Sequence, residues 1–229
     1  MESMVLTPRL ACLAALVPPG ARLADVGTDH GKLPIALLRA GRVASAIGSD
    51  IGAGPLEHAA RNAAEHGAAL SLRLAPGLDA VQPDECDTVS IAGMGGQTIA
   101  DILRAAPWTA DGAHLLLLQP MTMAYELRQW LWAHGYAIER EQPCREGRRH
   151  YVVIAARGGG QARQVPLAQC AFSPALLRAD GAADYLRHLL VRERRALAGM
   201  ERAEQPDPQR LDDQRALVRA INDALEGMK

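Results

Sequence analysis

An α/β fold with a mainly parallel sheet, followed by a pair of helices, is what this 229-residue sequence predicts. Three observations carry that expectation. Between residues 22 and 134, short runs rich in Leu, Ile and Val alternate with longer Ala/Leu-rich stretches of helical period. The alternation then ends in two strand-like runs with no helix between them. Finally, Gly158-Gly159-Gly160 separates this part from a tail whose apolar residues recur every three or four positions.

The first strand is expected at 22–26, with a loop over 27–31 and a helix over 32–40. A second strand at 44–51 leads into a helix at 55–66, and a third strand follows at 71–75. A fourth at 87–92 precedes a helix at 97–105. The fifth, at 114–119, reads His-Leu-Leu-Leu-Leu-Gln, and its unbroken leucines imply burial on both faces. A helix at 123–134 comes next, and the runs 136–141 and 150–156 pair as an antiparallel hairpin. Strand–helix repetition builds a parallel sheet with right-handed crossovers and helices on both faces. Seven strands ending in an antiparallel hairpin make a Rossmann-like class I methyltransferase sheet, whereas a dinucleotide fold normally ends differently.

Beyond Pro174 the pattern is helical. Leu186, Leu190, Leu197 and Met200 share one face, Pro206 and Pro208 break the run, and Leu211, Gln214, Val218, Ile221, Leu225 and Met228 form a second stripe. Two helices joined by a short turn make an antiparallel hairpin or coiled coil.

The net charge of −1 argues against a generally polybasic protein, but it is unevenly placed. Residues 1–139 hold 9 basic and 14 acidic side chains, and residues 140–229 hold 16 and 12. Arginine dominates, since the only lysines are Lys32 and Lys229. Cys12, Cys86, Cys144 and Cys170 lie far apart, with none at metal-ligand spacing, so reduced thiols and no bound metal are expected. No secretory leader is expected from Met1-Glu2-Ser3-Met4, and no apolar stretch approaches the ~20 residues of a membrane span. A cytoplasmic protein is expected.

The most informative segment follows the first strand. Asp25-x-Gly27-x-Asp29-x-Gly31 runs from a buried strand into a helix. Gly27 allows the turn and lets a ligand lie against the backbone, while the helix start offers free amides. A dinucleotide site requires GxGxxG, but Asp29 and Lys32 stand at its second and third glycines. A carboxylate repels a diphosphate and attracts a cation, so the pattern fits the sulfonium of S-adenosylmethionine. Asp50, about 20 residues past the glycine turn, is placed to hold ribose hydroxyls. After the third strand, Gly77 and Leu78 are expected beside an adenine ring, with Asp79 near its amine. The fourth strand ends Ile91-Ala92-Gly93-Met94-Gly95-Gly96, a glycine-rich turn at the strand edge where open α/β sheets bind ligands. The Asn/Asp-Pro-Pro-aromatic motif of exocyclic-amine methylation is absent.

Taken together, Asp25 to Pro34, Ile91 to Gly96, Leu118-Gln119-Pro120 and the helical tail resemble the TrmK-type tRNA methyltransferases. That family methylates N1 of adenine 22 in tRNA with S-adenosylmethionine. The resemblance runs from about Pro8 to the end and implies a methyltransferase domain over 1–157 and a helical coiled-coil domain over 158–229 that helps hold tRNA. It implies a cofactor set of Asp25, Gly27, Thr28, Asp29, Asp50, Ile51, Gly77, Leu78, Ala92, Gly93, Met94 and Gly95. The chain departs from the family in reading Ala75-Pro76-Gly77-Leu78 near the third strand and in carrying arginine rather than lysine in its tail.

Adenine N1 is already nucleophilic at neutral pH, so methyl transfer needs mainly positioning. The product base is cationic, and Asp29 is the candidate carboxylate to stabilise it. His30 is the candidate to orient the base or accept a proton from N6. Arg187, Arg192, Arg194 and Arg195 are candidates for phosphate contacts, or form a solvated helix face. A methyltransferase for another RNA or a small molecule, a cofactor-binding protein without turnover and, more remotely, an NAD oxidoreductase remain alternatives. The sequence leaves the oligomeric state open.

Overall fold

The computed structural model describes residues 4–203, 205 and 207–228. Met1 to Ser3, the expected break at Pro206, and Lys229 lie outside the described residues. A helix that sequence periodicity missed comes first, α1 (Pro8–Leu16). Thr7 caps it by accepting the Leu10 amide, and Pro8 occupies its first turn, where no N–H is needed. There follow β1 (Ala21–Val26), α2 (Lys32–Arg39), β2 (Val43–Asp50), α3 (Ala53–Glu65) and β3 (Leu70–Leu74). Next come β4 (Thr88–Gly95), α4 (Gly96–Ala105), β5 (Leu115–Thr122) and α5 (Ala124–Ala133). The hairpin β6 (Ala137–Glu146) and β7 (Arg149–Arg157), a one-turn helix α6 (Pro174–Leu177), and the long helices α7 (Ala182–Glu201) and α8 (Pro208–Glu226) complete the chain.

The seven strands lie in the order β3-β2-β1-β4-β5-β7-β6. The first five pair in parallel, and β7 pairs antiparallel with both β5 and β6. Leu116, Leu117 and Leu118 of β5 are fully buried, as their run implied. Odd and even residues of this strand enter different clusters on the two faces of the sheet, Leu115 and Leu117 on one and Leu116 and Leu118 on the other. The first cluster is closed by Leu13 and Val17 at the α1 end, and the second continues into α7 and α8 through Leu186, Leu189, Leu217 and Ile221.

The expected glycine turn after the fourth strand is a correction. Gly93, Met94 and Gly95 are part of β4. They stay in the sheet because Met94 and Gly95 pair with Pro120 and Thr122 of β5, across an irregular register that bends the strand edge. Gly96 opens α4 against α5, and there is no room for a side chain. A Cβ on Gly96 would stand 2.2 Å from the Met123 carbonyl oxygen. Since that neighbour is backbone, Gly96→Ala should destabilise the fold by roughly 1–3 kcal/mol, seen as a lowered urea midpoint at unchanged slope.

The tail forms the expected antiparallel hairpin. Arg194 donates to Asn222 at 2.9 Å and Arg215 pairs with Glu201 at 3.0 Å, so α7 and α8 run past each other in opposite directions. A buried ion pair ties the tail to the sheet. Arg128 of α5 bonds Glu141 of β6 at 2.7 Å and donates to the carbonyls of Cys170 and Ala171 at 3.1 and 3.0 Å. Among the described residues no helix is long and apolar enough to cross a membrane.

Candidate active site

The loop between β1 and α2 is built by three residues with positive φ, Gly27 at 68°, Asp29 at 52° and Gly31 at 69°. It is tied to β2 by the amides of Gly27 and Thr28, which both donate to the Ser49 carbonyl. Gly27 has a reason beyond its turn: the Met94 methyl lies across it, where a Cβ would come within 2.2 Å. The two glycine motifs read in the sequence therefore meet in space. Gly48 on β2 gives the same loop room, since a Cβ there would stand 2.9 Å from the Thr28 methyl.

Asp25 lies beneath this loop and is 6% exposed. Its carboxylate accepts the Thr28 hydroxyl at 2.7 Å and the Ser90 hydroxyl. Burial pushes its pKa up to about 6, against an ordinary 3.8, although both hydroxyls oppose the shift. Between those values the folded chain holds a proton that the unfolded chain has released. This contribution to stability is therefore full below the ordinary pKa and lost as pH rises through about 6, by up to ~3 kcal/mol. Asp25→Asn removes the titrating group. The variant's stability relative to the parent should rise between pH 4 and pH 7 in urea titrations, and a pH-independent difference would contradict the assignment.

Asp29 is exposed, and its amide donates to Asp50 Oδ2 at 3.1 Å. The other oxygen of Asp50 accepts the Gly52 amide at 2.9 Å, so two backbone amides hold this carboxylate at the end of β2. Ile51 beside it is 77% exposed, unusual for an isoleucine at a strand end. His30 Nε2 stands 3.5 Å from Asp29 Oδ1, its ring is tilted against His58 at 5.0 Å, and its carbonyl accepts Asn62 from α3.

A cleft of 350 Å³ opens here, lined by Asp25, Gly27, Thr28, Asp29, His30, Ala92 and Gly93 from the expected set. Arg9 and Lys32 also line it, and neither belongs to that set. Arg9 of α1 donates to the buried side chain of Gln119 at 2.6 Å, and the Gly93 amide donates to the same oxygen at 3.2 Å. A Thr-Pro helix start before an arginine was the one available signal, and it does not reveal a contact made 110 residues away.

Leu78 is a correction. It is 3% exposed and packs in the core with Val81, Ile99 and Leu103, so its side chain is not available to a ring. Gly77 sits against Ile102, and its carbonyl accepts the Ser49 hydroxyl at 2.8 Å. Asp50, Ile51, Gly77, Leu78, Met94 and Gly95 of the expected set do not line the cleft, although Asp50 is tied to it through the Asp29 amide. Met94 and Gly95 stand on the β5 side, where Gly95 pairs with Thr122. The cleft offers the carboxylates of Asp25 and Asp29 and the cations of Arg9 and Lys32, a set suited to a zwitterionic ligand.

Comparisons with known proteins place the chain among methyltransferases. A methyltransferase-domain family model matches residues 6–154. The tRNA (adenine(22)-N(1))-methyltransferase of Bacillus subtilis (strain 168) is 35% identical over 161 residues, which cover 69% of this chain and 68% of that protein. The crystal structure of the Bacillus subtilis m1A22 tRNA methyltransferase TrmK matches with a TM-score of 0.77 and 28% identity, over 98% of this chain and 97% of that one. A Streptococcus pneumoniae protein crystallised with S-adenosyl-L-methionine matches with a TM-score of 0.80 and 31% identity, over 96% and 100%.

Proposed function

The chain belongs to the TrmK family of tRNA (adenine(22)-N(1))-methyltransferases, and we infer from this that it methylates N1 of an adenine in tRNA, using S-adenosylmethionine. The observation that carries the reading is the cleft itself. Gly27 and Asp29 at positive φ, with Asp50 anchored beside them, form an acidic cradle rather than a diphosphate loop.

S-adenosylmethionine fits this cleft and supplies an electrophilic methyl group on a sulfonium. Asp50, fixed by the Asp29 and Gly52 amides, accepts the ribose hydroxyls. Ile51 covers one face of the nucleoside base. Arg9, steadied by Gln119, and Lys32 pair with the carboxylate of the amino-acid end. Met94, Gly95 and Gly96 shape the side from which the acceptor base enters. There the Asp29 carboxylate stabilises the charge that the adenine acquires. His30 orients that base or takes a proton from its N6 amine. N1 lies on the Watson–Crick edge, so the adenine must leave its stack before it reaches the cleft.

Residues 1–157 form the methyltransferase domain, and the Arg-rich helices of residues 158–229 meet the tRNA. Arg187 and Arg195 are exposed, whereas Arg192 and Arg194 are partly committed to Glu193 and Asn222. The substrate places the protein in the cytoplasm. Mass spectrometry of nucleosides from tRNA incubated with the protein and S-adenosylmethionine tests the reading. N1-methyladenosine is the expected product. Its absence, with S-adenosylhomocysteine still binding in calorimetry, would leave a cofactor-binding protein or a different acceptor.

A further inference from the structure

Resting on that reading, we propose that a second pocket on the same sheet edge holds a nucleotide of the tRNA strand next to the target adenine. The pocket measures 520 Å³ and lies between the end of β5, the start of β7 and the α7–α8 hairpin. That volume is within the range of small-ligand sites. It adjoins the cofactor cleft across one strand pair. Gly93 of β4 lines the cleft, Thr122 of β5 lines the pocket, and Gly95 pairs with Thr122 between them. Met121 and Met123, 37% and 43% exposed, also line it, and Met123 is held at a φ of 58°. A non-glycine residue in that conformation costs about 1–3 kcal/mol and is concentrated at functional sites.

The polar groups suit an unstacked nucleotide. The rings of His150 and His188 stack at 4.1 Å. His150 Nε2 stands 3.3 Å from Asp184, while its buried Nδ1 finds no partner among the described residues. Such an orphan calls for a ligand or a water. Burial, then His150 and Arg192, hold His188 below its usual pKa, which favours the neutral ring that stacks on bases. Positive charge comes from Arg192 and Arg210. The guanidinium of Arg192 donates to the Tyr125 hydroxyl at 2.7 Å and its side chain remains 57% exposed. Arg210 is exposed in the first turn of α8. Three carboxylates also line the pocket, and one of them, Glu193, is paired with a cation. Glu193 is held by Tyr125, Arg192 and Gln214, while Asp213 accepts from Gln209 and keeps its charge, as does Glu126. When the adenine is flipped into the cleft, its neighbour loses a stacking partner, and this pocket offers a replacement beside it.

Steady-state methylation of a tRNA transcript, at saturating S-adenosylmethionine, tests the proposal with His188→Ala, Arg210→Glu and Arg210→Lys. KM for tRNA should rise roughly tenfold in the first two, the scale of one lost base stack, with Arg210→Lys close to the parent. The affinity for S-adenosylhomocysteine should not change. Unchanged KM in both His188→Ala and Arg210→Glu, with an active parent, would overturn the pocket and leave the methyltransferase reading intact. A parent that forms no N1-methyladenosine would overturn both. A dimer by light scattering that Arg210→Glu splits would also overturn the proposal, because the pocket would then hold a second copy of the chain.

Discussion

Asp29→Asn is expected to lower kcat by on the order of a hundredfold, the scale on which single preorganised charges act, while leaving tRNA binding nearly intact. The substitution keeps shape and tolerance of positive φ, and removes only the charge. A companion variant, Asp29→Gly, separates the backbone from the carboxylate. Asp29 is the only non-glycine residue besides Met123 with positive φ among the described residues. Glycine adopts that conformation without the steric penalty of a side chain, which costs roughly 1–2 kcal/mol. Asp29→Gly should therefore be as stable as the parent or more so, yet as inactive as Asp29→Asn. Equal loss of turnover and of tRNA affinity would contradict a role at the reacting base.

The largest effect on stability is expected at Arg128. Its side chain is fully buried, as is that of Glu141, and it also holds the carbonyls of Cys170 and Ala171. Arg128→Ala leaves a buried carboxylate without a counter-charge and two carbonyls without donors, which should cost about 3–5 kcal/mol. The pair itself is a weak source of net stability, because both ions were desolvated to form it. The double variant Arg128→Met/Glu141→Leu should therefore recover a large part of the loss in urea unfolding. It will not recover all of it, since the carbonyls remain unpaired. A single variant within about 1 kcal/mol of the parent would mean that water reaches Glu141.

What the sequence made legible was local. Strand–helix alternation carries the sheet because period and burial are written in neighbouring residues, as in the leucines of β5. Asp25, Gly27 and Asp29 were legible because a tight βα loop needs special backbone at fixed spacing. Three features were not. Arg9 reaches the cleft only through Gln119, a contact between α1 and β5 that no local pattern encodes. Leu78 reads as a ring partner from its place after the third strand, and its packing with Ile99 and Leu103 of α4, which no local pattern encodes, puts it in the core. Gly93 and Gly95 look like a turn, but pairing of this segment with β5 keeps it in the sheet. The acidic first part and the arginine-rich second part of a chain with net charge −1 meet at a shared core, in which Leu118 of β5 and Ile221 of α8 join one cluster.

The site of methylation can be read directly by primer extension. A methyl group on N1 removes the Watson–Crick acceptor of adenine, whereas one on N6 or on the ribose leaves pairing possible. Reverse transcription of tRNA treated with the protein and S-adenosylmethionine should stop one nucleotide before a single adenine, at position 22, and with Asp29→Asn that stop should accumulate about a hundredfold more slowly. Full-length read-through on methylated tRNA would contradict transfer to N1.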